Sequence, residues 1–122
     1  MNVLIVDDCI EIARKLNELI SENKEVHVLG LAKSVREGLD MIAKFNLDVV
    51  FLDINLPDGS GMEVLLHVKK IKPQVKVIMF SNAANDLYRR KFAEKGSDYF
   101  LDKSKDFTKA PEIISQILKG HA

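Results

Sequence analysis

Five polar residues stand where short apolar runs end. Asp7 and Asp8 follow Val3-Leu4-Ile5-Val6, Asp53 follows Val49-Val50-Phe51-Leu52, Ser81 follows the run Val75 to Phe80, and Lys103 lies just beyond Tyr99-Phe100-Leu101. Taken singly, each has an ordinary reading. The first two aspartates suit the cap of a helix. Asp53 suits the start of a Pro- and Gly-containing turn. Ser81 suits a loop, and Lys103 a solvated surface. Gathered at one place, they suit one kind of chemistry. Three converging carboxylates repel one another, so either one takes up a proton or a cation joins them. A divalent ion with oxygen ligands relieves the repulsion, and Mg²⁺ (or Mn²⁺) is suited to a few carboxylates, water and a phosphate oxygen. No Cys/His cluster points to zinc. An ionised Asp53 would then be a nucleophile toward phosphorus, with the Lys103 charge and the Ser81 hydroxyl holding phosphoryl oxygens. Such catalysis is positioning and electrostatics, with no general base required.

For this convergence the five runs must share a sheet edge. Between them lie stretches with helical spacing: Ile12, Ala13, Leu16, Leu19 and Ile20; Val35, Leu39 and Ile42 behind a Ser34 cap; Val64, Leu65, Val68 and Ile71 before Pro73. The fourth, Asn85 to Lys95, is the weakest and ends at Gly96. The fifth is Ala110, Ile113, Ile114, Ile117 and Leu118, with Thr108 as expected cap and Pro111 in the first turn. The nearly continuous Val, Ile, Leu and Phe runs predict parallel strands covered on both faces. His27 and Gly30 within Val26 to Ala32 mark that run as an edge strand. Strict alternation of strand and helix predicts an α/β fold: a doubly wound (βα)5 sheet with flavodoxin-like strand order 2-1-3-4-5. Ligands of such sheets bind beyond the carboxyl ends of the strands, where the order reverses, which is where the five polar residues fall.

The chain has 122 residues with 18 Lys and Arg against 18 Asp and Glu, a formal net charge of zero. No strong field draws it to nucleic acid. Its apolar runs fall far short of the roughly 18 residues of a membrane helix. The start carries no signal-peptide pattern, and the one cysteine forms no internal disulfide. The expectation is a single cytoplasmic domain over 1–122, with no output domain in this chain. Cys9 is expected to be buried, and Lys69, Lys70, Lys72, Lys76 and Arg89-Arg90-Lys91 to be solvated, with a kinase or output contact as the alternative for the second run, which lies on helix 4.

Asp7-Asp8 after the first strand, Asp53 after the third, Pro57 and Gly61 beyond it, Ser81 ending the fourth and Lys103 after the fifth follow one another in a family order. In this the chain resembles the receiver domain of two-component response regulators, from Asn2 to about Lys119. The resemblance implies that Asp53 accepts a phosphoryl group from a histidine kinase or phosphotransfer protein. It implies that Asp8, Asp53 and the Asn55 backbone carbonyl ligate Mg²⁺, with Asp7 acting through water, and that Lys103 and Ser81 contact the phosphoryl group. Ser81 would then move toward it and the Phe100 ring would turn inward. That would rearrange the surface of helix 4, strand 5 and helix 5, which a downstream effector or output domain reads and through which a homodimer could form. Two departures stand out. Asn82 stands where the family usually has a very small residue, so Asn82, with Asn55 and Ala83, is expected to tune transfer and hydrolysis rates. Ser104 replaces a frequent proline after the lysine, so that loop is expected to differ locally, without the cis bond.

Three rivals are weighed. A haloacid-dehalogenase-like phosphatase resembles this pattern, but it has a second aspartate where this chain has Asn55. A flavodoxin-like cofactor carrier needs a phosphate loop after the first strand, where Asp7-Asp8-Cys9 would repel the phosphate. A degenerate receiver, binding partners independently of phosphorylation, would not need Asp7, Asp8, Asp53, Ser81 and Lys103 together.

Overall fold

A computed structural model describes residues 1–82 and 85–120; Ala83, expected to tune rates, lies outside the described residues. Five parallel strands, β1 (Asn2–Val6), β2 (His27–Ala32), β3 (Val49–Leu52), β4 (Lys76–Ser81) and β5 (Tyr99–Asp102), form one sheet of order β2-β1-β3-β4-β5. This is the expected order, with β2 at an edge. Five helices alternate with the strands: α1 (Ile10–Ile20), α2 (Val35–Lys44), α3 (Gly61–Ile71), α4 (Asp86–Glu94) and α5 (Ala110–Leu118).

The period-two alternation of the strands sorts side chains to two cores. Val3, Ile5, Val49, Phe51, Ile78, Phe80 and Leu101 face α1 and α5. Leu4, Val6, Val50, Leu52, Val77 and Met79 face α2, α3 and α4. The central strands are apolar on both faces because helices cover both. Each buried aliphatic or aromatic side chain contributes about 1.5–3 kcal/mol relative to exposure, and Phe51 packs edge-on against Phe80 at 6.4 Å between ring centroids.

Helix starts follow the sequence closely. Ser34 caps α2 by accepting the Glu37 N–H, and Asn85 caps α4 by accepting the Tyr88 N–H. Ser60 and Glu63 form a reciprocal capping box at α3, a Ser-x-x-Glu signal present in the sequence but absent from the expectation above. Gly96, at φ +111°, closes α4 in a conformation that favours glycine.

Some expectations need correction. Thr108 does not cap α5: it sits in a 3₁₀ turn over Phe107–Lys109 that precedes the helix, and Lys109 takes the cap position without a side-chain bond. Pro111 is in the first turn as expected. Ile71, expected on the apolar stripe of α3, is 46 % exposed at the last residue of that helix. Cys9 is exposed, since it leads into α1 from the open sheet edge rather than from the core. Three of the lysines are not merely solvated, Lys76 Nζ lying 3.9 Å from Asp98 Oδ1. Lys69 donates to the Val75 carbonyl and pairs with Asp98 at 2.8 Å, and Lys72 donates to the carbonyls of Ile42 and Phe45. Arg89 likewise donates to the Phe100 carbonyl.

After β3 the chain turns through a two-residue hairpin, Asn55–Leu56 against Gly59–Ser60, before α3. Its tip is tied to the neighbouring helix. Asp58 accepts the Val35 N–H at 2.7 Å through Oδ1 and the Arg36 N–H at 3.0 Å through Oδ2, serving two donors that have no partner inside α2. The bond from Val35, then that from Arg36, holds the Asp58 carboxyl below its ordinary value of 3.8. A carboxyl lowered by folding contributes stability above its unfolded value and loses it as pH falls through the folded one. Asp58→Asn is therefore expected to melt a few degrees below the parent at neutral pH, the gap closing on acidification below 3.8. Thermal melts across pH check this; a gap that persists undiminished in acid would refute the capping role.

Candidate functional site

The sheet delivers its polar residues to one edge through its own ladder. The Asp7 N–H donates to the Ala32 carbonyl and the Asp53 N–H to the Val6 carbonyl, so both aspartates sit one step beyond the last paired residues of β1 and β3. The Lys103 N–H donates to the Ser81 carbonyl at 3.2 Å, which fixes the lysine beside the end of β4. Asp7, Asp53 and Lys103 continue the alternation of Ile5, Phe51 and Leu101, which face α1 and α5, whereas Ser81 continues that of Val77 and Met79 on the other face.

Asp7, Asp8 and Asp53 each offer a carboxylate oxygen, and the three oxygens lie within 4.8 Å of one another. Asp7 and Asp53 are buried, while Asp8 faces solvent. Lys103 reaches into the same place. Its Nζ lies 2.6 Å from Asp7 Oδ2 and 2.8 Å from Asp53 Oδ2, and its side chain is only 7 % exposed. The other oxygens are held locally: Asp7 Oδ1 accepts the Cys9 N–H at 2.9 Å, and Asp53 Oδ1 accepts the Ile54 N–H at 2.7 Å. Asp7 Oδ2 is buried with the ion pair alone, lacking a partner in hydrogen-bond geometry.

Burial pushes the Asp7 carboxyl above its ordinary value, and Lys103 only partly offsets this. Burial also opposes the charge on Lys103, but the contacts to Asp53 and Asp7 outweigh it and its pKa is raised. One lysine thus neutralises a pocket of three carboxylates incompletely. The donor set is all oxygen, with the buried Asp7 and Asp53 carboxylates sharing one lysine and an exposed Asp8 at the mouth. A hard divalent cation fits these residues.

Ser81 ends β4 at 1 % exposure, paired in register with Asp102. Asn55 and Asn82 are exposed on the loops after β3 and β4. Phe100 is not part of this cluster: its half-buried ring packs against Phe92 of α4, with centroids 6.0 Å apart. The backbone around Lys103 has no cis bond among the described residues, as expected without the proline. Instead Asp102 Oδ1 accepts both the N–H and the hydroxyl of Ser104, which orders the loop locally. Asp58 and Asp106 were not singled out by the sequence, since nothing in their spacing separates them from ordinary surface charges, and Arg89 was read there only as part of a solvated basic run.

The fold is a doubly wound parallel sheet with an acidic cluster and one lysine at the carboxyl edge of its strands, and comparison with known proteins gives the family. The model of the response regulator receiver domain matches residues 3–115. The chain belongs to the response regulator receiver family, and is the receiver domain of a two-component response regulator. It is 35 % identical over 121 residues to the sensory transduction protein LytT of Bacillus anthracis, covering 99 % of this chain and 47 % of that protein. It is 37 % identical over 79 residues, 65 % of this chain and 22 % of that protein, to a protein-glutamate methylesterase/protein-glutamine glutaminase of Trichodesmium erythraeum (strain IMS101). The chain spans about half the length, or less, of these relatives. Among solved structures, a CheY-like response regulator receiver domain protein from Methanospirillum hungatei JF-1 superposes with a TM-score of 0.86 at 28 % identity, covering 98 % of this chain and 94 % of that one. The isolated receiver domain of RcsB from Salmonella enterica serovar Typhimurium shares the fold, with a TM-score of 0.91 at 20 % identity, covering 98 % and 89 %. The phosphatase and flavin-carrier rivals fall away with this membership. No described helix is long and apolar enough to cross a membrane.

Proposed function

We propose that Asp53 accepts a phosphoryl group from a phosphohistidine of a histidine kinase or phosphotransfer protein. The observation that carries this reading is the Lys103 amine bridging Asp7 and Asp53 beside Asp8. An Asp53 oxygen attacks phosphorus, the new O–P bond forms, and the N–P bond of the donor breaks with its electron pair returning to the imidazole. Asp8, Asp53 and the Asn55 carbonyl would hold Mg²⁺ or Mn²⁺, with Asp7 acting through water, and the ion would supply charge that offsets the phosphoryl oxygens. Lys103 turns from the Asp53 carboxylate to a phosphoryl oxygen, and the Ser81 hydroxyl donates to another. Burial of Asp7 and Lys103 keeps these contacts strong, because little water screens them.

The output is a change of surface. Ser81 moves toward the phosphoryl group, the Phe100 ring follows into the space behind it, and α4, β5 and α5 present a different face. A downstream effector, an output domain or a second copy reads that face. Asn82, exposed beside the acceptor strand, tunes how readily donors and water approach. The domain acts as an acceptor that assists its own phosphorylation and dephosphorylation, without turnover of a separate substrate, and it contacts neither nucleic acid nor membrane directly.

The test is intact mass after incubation with Mg²⁺ and a small acyl or amido phosphate. The parent protein is expected to gain one phosphoryl group that hydroxylamine removes, and Asp53→Asn to gain none. Equal labelling of both proteins, or of neither, would overturn the assignment.

A further inference from the structure

Helix α4 is held to the sheet by little. Phe92 is its one buried side chain among the described residues, and most of its other residues are charged or exposed. A second anchor comes from Arg89. Its Nη1 donates to the Phe100 carbonyl at 2.8 Å, and its guanidinium carbon lies 5.2 Å from the centroid of the Phe100 ring. Its Nη2 lies 3.6 Å from Asp106 Oδ2, the oxygen that also accepts the Asp102 N–H at 3.0 Å. One planar fork on α4 therefore touches the backbone and ring of a β5 residue and the loop before α5. Asp102, tied to the same Asp106, immediately precedes the lysine that bridges Asp7 and Asp53. A lysine could not substitute, since an ammonium offers no flat face to stack and no fork to share between two acceptors.

We propose that Arg89 is a latch on the switch: it holds the Phe100 ring against Phe92 and α4 against β5, so that the phosphoryl-driven rearrangement must release it. The proposal rests on Asp53 being the phosphoryl acceptor and adds the residue that sets how far the resting state is favoured. The proposed switch gives Phe100 a second position besides the one against Phe92, and a group that contacts only one of them shifts the balance toward it. With the ring drawn inward, the guanidinium loses its aromatic partner. Removing Arg89 takes the stacked cation away from the ring's resting position alone, the bond to the Phe100 backbone carbonyl being indifferent to the rotamer, so ligands of the switched state should bind more tightly. The expected change is up to about fivefold, the size a cation–π contact carries at a half-exposed site.

The experiment places 4-fluorophenylalanine at position 100 and follows its fluorine resonance in the whole chain, with Mg²⁺ and increasing beryllofluoride as the phosphoryl mimic. In the parent protein the resonance is expected to move on saturation. In Arg89→Ala the ligand-free resonance should already lie partway toward the saturated position, and half-saturation should fall by up to about fivefold. Arg89→Lys should resemble alanine more than the parent, because it keeps the charge and loses the fork. A ligand-free resonance unchanged by Arg89→Ala overturns the latch, and so does a half-saturation that stays the same or rises. Failure of beryllofluoride to bind the parent would instead overturn the acceptor reading, and with it the switched state that the latch is set against.

Discussion

Replacing Lys103 by methionine is expected to lower the melting temperature by roughly 10 °C in the presence of a chelator, with millimolar Mg²⁺ restoring a good part of the loss. The lysine amine contacts Asp7 and Asp53 at 2.6 and 2.8 Å, with the three side chains 7 %, 2 % and 9 % exposed. Breaking a buried pair by removing one partner leaves uncompensated charge and costs about 3–5 kcal/mol. The lower figure applies here, because Asp7 is already biased toward its protonated form by burial and can shed part of its charge. Methionine fills a similar volume, so the loss reports charge and not a cavity. The sign with pH follows from the raised Lys103 pKa. A base whose pKa folding raises contributes stability that is complete below its unfolded value and fades as pH rises through the folded one. The gap between parent and variant should therefore be full near neutrality and narrow in strong alkali. A cation that binds only the folded acidic pocket stabilises by mass action, so Mg²⁺ should raise the variant's melting temperature more than the parent's. Melting curves with chelator and with Mg²⁺ check both statements. A variant as stable as the parent, or one indifferent to Mg²⁺, would show that the three carboxylates are not the cation-demanding cluster their spacing describes.

That cluster was legible in the sequence because strand ends are. Asp7, Asp53, Ser81 and Lys103 each follow an apolar run, and a parallel sheet carries all such ends to one edge whatever the details of packing. Elements whose residues alternate or repeat were legible for the same reason: the five strands, the edge position of β2, and the stripes of α1 and α2. What escaped were contacts fixed by tertiary geometry. Asp58 reads as a turn residue, and only the placement of α2 beside the β3–α3 hairpin turns it into a cap for Val35 and Arg36. Arg89 sits in a basic run that looks solvated, yet its fork closes on Phe100 and Asp106. Lys69 and Lys72 are long enough to bury their stems and still reach carbonyls of neighbouring segments. Cys9 was misplaced by residue type: a cysteine's general tendency to be buried yields to its position at the open edge of the sheet.

Gly61→Ala is expected to be nearly as damaging as loss of the lysine, through backbone alone. Gly61 opens α3 with its N–H donating to the Ile54 carbonyl at 2.6 Å. A β-carbon there would collide with the backbone carbonyl of Asp53 and crowd Ile54 Cα. Neither is a flexible side-chain end, so the hairpin after β3 must shift to admit one methyl group. Overpacking of this kind costs about 1–3 kcal/mol, and a backbone-on-backbone clash belongs at the upper end. The displaced atom is the carbonyl of Asp53, the proposed acceptor, so the cost should reach function as well. A misplacement of about 1 Å in a group that must be aligned for transfer can slow it on the order of a hundredfold. Gly38 supplies the contrast. It is buried in α2, but a β-carbon there would meet only Val6 side-chain atoms at 3.4 Å, and alanine favours the helix. Gly38→Ala should melt close to the parent and label at the parent rate, whereas Gly61→Ala should melt several degrees lower and label at least tenfold more slowly. Equal melting and labelling of the two variants would mean that the hairpin tolerates the shift and that the close approach of Gly61 to Asp53 does not set the acceptor's position.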